Sequence, residues 1–241
     1  MVIGIRGSRD QGIEGSRDRG IEGSGDRGIR GSRDKGNGSF VYLCSKIKRN
    51  IYLMIDTIFN HRSIRKYKPD PIPEDILEKI LEAGSRASTT GNMQVYSMIV
   101  TTDSKLKEEL WQAHFRQDMV KEAPVIITFC ADFNRFNKWC RLRDAEPGYD
   151  NFLSFFTAAI DALLASQNVA LEAEANGLGI CYLGTATYNA DMIGEILKLP
   201  EFVVPVAALV VGYPAELPLL TDRLPMNAVV HNETYRDFSP E

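Results

Sequence analysis

Cysteine and histidine are scarce in this chain, and their scarcity removes whole classes of chemistry. The 241 residues hold 4 cysteines, at Cys44, Cys130, Cys140 and Cys181, and 3 histidines. No two cysteines form a C-x-x-C pair, so neither a disulfide framework nor a zinc cluster is expected. The H-E-x-x-H, G-x-S-x-G and Walker patterns are missing as well. The longest uncharged apolar run in residues 40–53 is five residues, far below the ~18 needed to cross a bilayer. The ordered regions of a signal peptide are also absent, so a reduced, cytoplasmic protein with no membrane partner is expected. An excess of positive charge is lacking too. The chain carries 28 Lys/Arg against 32 Asp/Glu, and residues 54–241 alone carry 17 against 26. That part would repel phosphate backbones, which argues against a nucleic-acid partner.

Glycine, by contrast, is concentrated at the front. From Gly4 the chain repeats every eight residues: GIRGSRDQ, GIEGSRDR, GIEGSGDR, GIRGSRDK. One isoleucine per unit cannot offset the entropy of ordering so much glycine, so disorder is expected there. Arginines alternate with Asp and Glu, leaving residues 1–39 with 8 basic against 6 acidic groups, a weak basis for an RNA-binding arm. Ordinary globular patterning begins at Met54. The chain therefore divides into a repeat tail with linker, 1–53, and one domain, 54–241.

Within that domain, residues 55–60 read as a short helix and 74–87 as an amphipathic one, with Ile76, Leu77, Ile80 and Leu81 on one face. Residues 95–101 and 124–131 read as strands, the second buried by its β-branched content. A helix is expected over 104–116 and a long one over 151–176, ended by Gly177. The first half of the long helix is apolar nearly all round, which suits a central position or a subunit interface. A strand at 180–183, a helix at 190–198 and a strand at 203–211 complete an α+β domain, with helices packed on a sheet.

Several short segments could carry chemistry. In His61-Arg62-Ser63-Ile64-Arg65-Lys66-Tyr67, a turn or helical conformation would bring Arg62 and Arg65 to one side. Two guanidinium forks beside a hydroxyl suit a phosphate; the alternative is a solvated basic patch. The loop Ser88–Gln94 offers hydroxyls and amides before a strand. In Gly177-Leu178-Gly179-Ile180-Cys181-Tyr182-Leu183-Gly184-Thr185, G-x-G-x-x-G fails because position 182 is Tyr. It also follows a helix and precedes a strand, the reverse of dinucleotide-binding order. Its glycines are better suited to letting a flat ligand lie against backbone amides. Cys181 has no histidine near it in sequence, and His61 and His114 read as ordinary hydrogen-bonding histidines.

Taken in order, these segments resemble the FMN-dependent nitroreductase family, most closely its NADPH-flavin oxidoreductase branch. The resemblance rests on HRSIRKY (61–67), the Ser/Thr loop with Gln94, FCADFNR (129–135), GLGICYLGT (177–185), LKLPEFVVPVAALVVGYPAE (197–216) and RLPMNAVVHNETY (223–235). It implies a nitroreductase-like α+β fold, a mainly antiparallel sheet flanked by helices, in an intertwined homodimer with FMN at the interface. NADH or NADPH would reduce the FMN, which would reduce nitroaromatics, quinones or flavins by a ping-pong mechanism. Carried across, His61, Arg62, Ser63 and Arg65 would hold the FMN phosphate and ribityl chain, and Arg223 would close on the phosphate. Thr89 and Gln117 would contact the flavin, and Tyr182, Leu183, Gly184 and Thr185 would present backbone to the ring. No side chain is nominated as acid, base or metal ligand.

The chain departs from relatives at Thr221, where they carry lysine, and at Thr185, where glycine is usual. The sequence ends at Glu241 without the long helical extension of larger flavin oxidoreductases, which leaves nicotinamide preference open. A flavin reductase or dehalogenase-like member of the superfamily, or a non-catalytic flavin-binding module, are the alternatives.

Overall fold

The computed structural model describes residues 56–238; the octapeptide repeat and the boundary at Met54 lie outside the described residues. A first helical segment, α1 (56–60), leads into an extended stretch and then α2 (Glu74–Ser85). β1 (Tyr96–Thr101), α3 (Ser104–Ala113) and α4 (Met119–Glu122) follow. Next come β2 (Val125–Asp132), α5 (Asn134–Arg141) and α6 (Phe152–Ala175). β3 (Gly179–Leu183), α7 (Ala190–Ile196) and β4 (Val203–Gly212) end the ordered series.

The strands form one sheet in the order β1-β2-β4-β3, every pair antiparallel. β2 is buried along its whole length, and its side chains alternate between two cores. Val125, Ile127 and Phe129 meet Ile80 of α2 and Ala162, Ala165 and Val169 of α6 on one face. Ile126 points the other way, among Leu110 and Ala113 of α3, Val120 of α4 and Ile193 of α7. The result is a sheet between two helical layers, the α+β arrangement expected.

α6 starts where Asn151 accepts a hydrogen bond from the Ser154 amide at 3.0 Å, and it stops at Gly177, whose φ of +79° is the left-handed value a C′ glycine takes. Its 24 residues span about 36 Å. The buried stripe is made of small residues: Ala158, Ala162, Ala165, Ser166, Ala170 and Ala173. The large apolar residues face outward instead, with Phe152 77% and Leu153 72% exposed. Gly84 of α2 lets the two helices touch, since a Cβ there would lie 2.6 Å from Val169 Cγ2. By length and composition α6 is apolar enough to cross a membrane, yet it packs along the sheet.

One expectation needs correction, and two short helices had not been read from the sequence. The helix at 104–116 ends at Ala113, because Phe115 and Arg116 take left-handed φ of 56° and 57°. α4 is only four residues, too short for periodicity to reveal. α5 has few aliphatic residues and is held by rings, with Phe136 stacking edge-on against Phe133 and Tyr149.

Candidate functional site

The basic heptad is extended, not a turn or helix. Ile64 N–H donates to the Ile180 carbonyl at 2.9 Å, and Lys68 N–H to Tyr213 at 2.9 Å. Isolated bridges join Ser63 to Ile180 and Tyr67 to Pro214. The segment therefore lies along the outer edge of β3, and helical spacing of Arg62 and Arg65 is not what relates them. An edge strand offers unpaired backbone groups to any extended segment, and this one takes them.

Glycine placement explains why it fits. A Cβ on Gly179 would sit 2.7 Å from Ile64 Cγ1, so that glycine makes room for the heptad rather than for a ligand. Gly177 serves the helix end. Gly184 has open space over its Cα, with nothing within 4 Å; so has Gly177, but its left-handed φ is already taken up by the helix end.

Side chains then divide by partner. His61 Nδ1 lies 2.8 Å from Glu174 Oε1 on α6, and Arg62 donates to the Asn60 carbonyl at 3.2 Å. Burial pushes the Glu174 carboxyl upward, against the hydrogen bond and the charge of His61. The Nε of Arg62 is buried with no partner. The Ser63 side chain is in hydrogen-bond contact with the Cys181 thiol, and the charge of Arg65 acts on the same thiol. Burial outweighs both and pushes the thiol up, so Cys181 stays protonated and is no nucleophile. The Arg65 amide donates to Glu216 Oε1 at 2.9 Å.

At the other end of β3, Gln117 and Thr185 come together. Gln117 Nε2 donates to the His114 carbonyl at 3.1 Å and approaches Thr185 Oγ1 at 3.4 Å, while His114 Nδ1 lies 2.8 Å from the same oxygen. The Tyr182 side chain points away toward α6, where its hydroxyl meets Ser166 Oγ at 2.9 Å, and Leu183 is buried in the opposite core. Both offer this edge backbone only.

Two expected residues stay apart. Thr89 opens the 3₁₀ turn Thr90–Asn92 before β1, the strand at the far edge of the sheet from β3. Arg223 folds onto its own exposed loop, donating to Thr221 Oγ1 at 2.6 Å, so the threonine that replaces lysine holds the remaining arginine. Within the chain, therefore, the heptad, β3, Gln117 and Thr185 form one edge, and Thr89 and Arg223 lie outside it.

Sequence reasoning missed four residues. Glu174 and Glu216 anchor the heptad, and His114 underlies Thr185. Asp161 accepts the Thr90 amide at 2.9 Å and so holds the loop bearing Thr89. A signal existed for Asp161: it is the one charge in the apolar first half of α6. Chemically, the edge can hold an anion at the heptad and a flat polar ring against Gly184.

The comparisons agree with this architecture. The Nitroreductase family model matches residues 58–117 and 112–213. An FMN reductase (NADPH) of Bacillus subtilis is 36% identical over 183 residues, 75% of this chain and 74% of that protein. A solved chain from Bacteroides fragilis is 54% identical with a TM-score of 0.75, covering 76% of this chain and 75% of its own. The NADPH:FMN oxidoreductase of Vibrio harveyi, solved with NAD+, gives 33% identity and a TM-score of 0.74, covering 78% of this chain and 80% of its own. Built on this sheet, with the basic heptad along β3 and the family pattern matched through most of its described length, the chain belongs to the nitroreductase family.

Proposed function

We propose that the protein is an FMN-dependent oxidoreductase that passes hydride from NADH or NADPH to nitroaromatics, quinones or flavins in two alternating half-reactions. The relatives named FMN reductase (NADPH) and NADPH:FMN oxidoreductase support a flavin and a nicotinamide donor. The observation that carries the reading is the heptad's bridge to Ile180, with Gly184 open at the far end of the same strand. Ile180 and Gly184 are four residues apart, about 13 Å of strand, which separates a site for phosphate from a site for a ring.

Arg62, Ser63 and Arg65 would hold the phosphate, with His61 beside the ribityl chain. The buried, unpartnered Nε of Arg62 fits an anionic group. Gly184 backbone, Thr185 and Gln117 would meet the ring, with Tyr182 and Leu183 supplying main chain. FMN supplies hydride chemistry when bound; the protein contributes charge, orientation and shelter from water.

The outward apolar face of α6 calls for a cover. Phe152, Leu153, Phe156, Leu163 and Leu164 are all exposed on this one helix, and exposed apolar surface of this kind marks an interaction site. A second copy would bury it and bring Thr89 and Arg223 to the cofactor from across the interface. The setting is the cytoplasm, where the buried free thiols of Cys130, Cys140 and Cys181 stay reduced.

Titration with FMN should give a bound-flavin spectrum, and initial-rate plots varying NADPH at several quinone concentrations should be parallel. Absence of bound FMN would overturn the cofactor, and intersecting lines would overturn the alternating half-reactions.

A further inference from the structure

We propose that Thr185 is a hydrogen-bond donor to the ring of the bound FMN, and that His114 is the positioning residue that reserves its proton for that role. The proposal rests on the FMN reading above and adds a residue role to it.

His114 caps α3 and has no exposed surface. Burial holds it at about 4, so the imidazole is neutral near pH 7 and carries one ring proton. Its Nδ1 faces Thr185 Oγ1 at 2.8 Å, and its Nε2 is buried without a partner. A proton on Nε2 would be an orphaned buried N–H, a rarer defect than an unused acceptor. The proton therefore belongs on Nδ1, donated to Thr185.

Gln117 adds a second donor. Its Nε2 lies near both the His114 carbonyl and Thr185 Oγ1. A carbonyl can only accept, so the amide is oriented with nitrogen inward. Thr185 Oγ1 thus receives N–H groups from His114 and Gln117, which uses both of its lone pairs. What remains is the hydroxyl proton. Thr185 is half-buried and follows Gly184, over whose Cα nothing lies within 4 Å. A donor left over beside that open backbone selects a ring edge with a carbonyl.

The backbone between the two inward donors supports the same reading. Phe115 and Arg116 are consecutive non-glycine residues in the left-handed region. Such strain persists where surroundings over-determine it. Here the Phe115 ring meets Tyr188, Arg116 Nε donates to Gln112 at 3.0 Å, and the Asn189 amide donates to Ala113 at 2.6 Å. The strained turn holds His114 and Gln117 on the same oxygen.

A donor to a ring carbonyl favours the more electron-rich, reduced ring, so the midpoint potential of bound FMN reads it. Thr185→Val should lower the preference for reduced over oxidised FMN by about three- to tenfold, which is about 15–30 mV more negative. Thr185→Ser should restore the parent value. His114→Asn, whose amide N–H can take the place of Nδ1–H, should stay near the parent, and His114→Leu should shift partway. A merely structural role would lower thermal stability in these variants and leave the potential alone. Should a His114 variant fail to fold, the Val and Ser pair at half-exposed Thr185 still decides the donor. An unchanged potential in Thr185→Val, or failure of Ser to rescue it, overturns the proposal while leaving the FMN reading intact. A parent that binds no FMN overturns both.

Discussion

On one face of the sheet, Val125, Ile127 and Phe129 close against α2 and α6 in a core that is apolar almost throughout. On the other face, Ile126 and Val210 share space with His114, Thr101 and Thr128, and each of these three buries a polar atom without a protein partner. On the first face Asp161 Oδ2, beneath the loop that bears Thr89, is such an orphan. Unpaired buried polar atoms cost stability, so the second face gives up some of what the first contributes. The two strained residues after α3 lie on that same side. Stability is thus concentrated under α6, and the Thr185 end of the candidate site lies where the molecule tolerates strain and orphaned groups.

The division can be broken from either side. The largest effect belongs to Phe129, fully buried beneath α6. Phe129→Ala should destabilise the fold by about 3–5 kcal/mol in urea unfolding, yet leave the midpoint potential of bound FMN where it was. A shifted potential would mean that the two faces are not separate.

The next effect belongs to His114 and sharpens the contrast through pH. Its folded value is depressed from an ordinary 6.5 to about 4. The unfolded chain therefore binds the extra proton first, and stability falls as pH drops from 6.5 toward 4. The loss should reach roughly 3 kcal/mol, and it should be fully recovered above pH 6.5. His114→Asn should flatten this slope relative to the parent, measured as the difference between their unfolding curves. Identical slopes would show that His114 is not held neutral by the fold.

Arg65 gives the smallest change in stability and a selective change in binding. Arg65→Ala should weaken FMN about 10- to 100-fold, from the loss of hydrogen bonds to a charged group. Riboflavin, which lacks the phosphate, should change far less. Equal losses for both ligands would return the heptad to a solvated basic patch.

Much of the scaffold was legible because its signals are local. The β-branched run of β2, the amphipathic spacing of α2, and Asn151 and Gly177 at the ends of α6 act within a few residues of themselves. The site was less legible because its causes are distant. Spacing alone suggested a turn for Arg62 and Arg65; only docking against β3 makes the segment extended. Gly179 looked like room for a ligand because Ile64, which needs that room, lies far away in the chain. The partnership of His114 with Thr185 was invisible for the same reason, since each looked like an ordinary residue of its own loop.

That distance has a kinetic side. His61 and Glu174 are 113 positions apart, and backbone hydrogen bonds at Ile64, Lys68 and Ala215 tie the heptad and the residue after it to the sheet. Closing so long a loop comes after local contacts have formed. A segment at a sheet edge is also among the first to open again. Phosphate bound at the heptad, as proposed, would act as a latch on this late-closing edge, and cofactor concentration would set how long that edge stays closed.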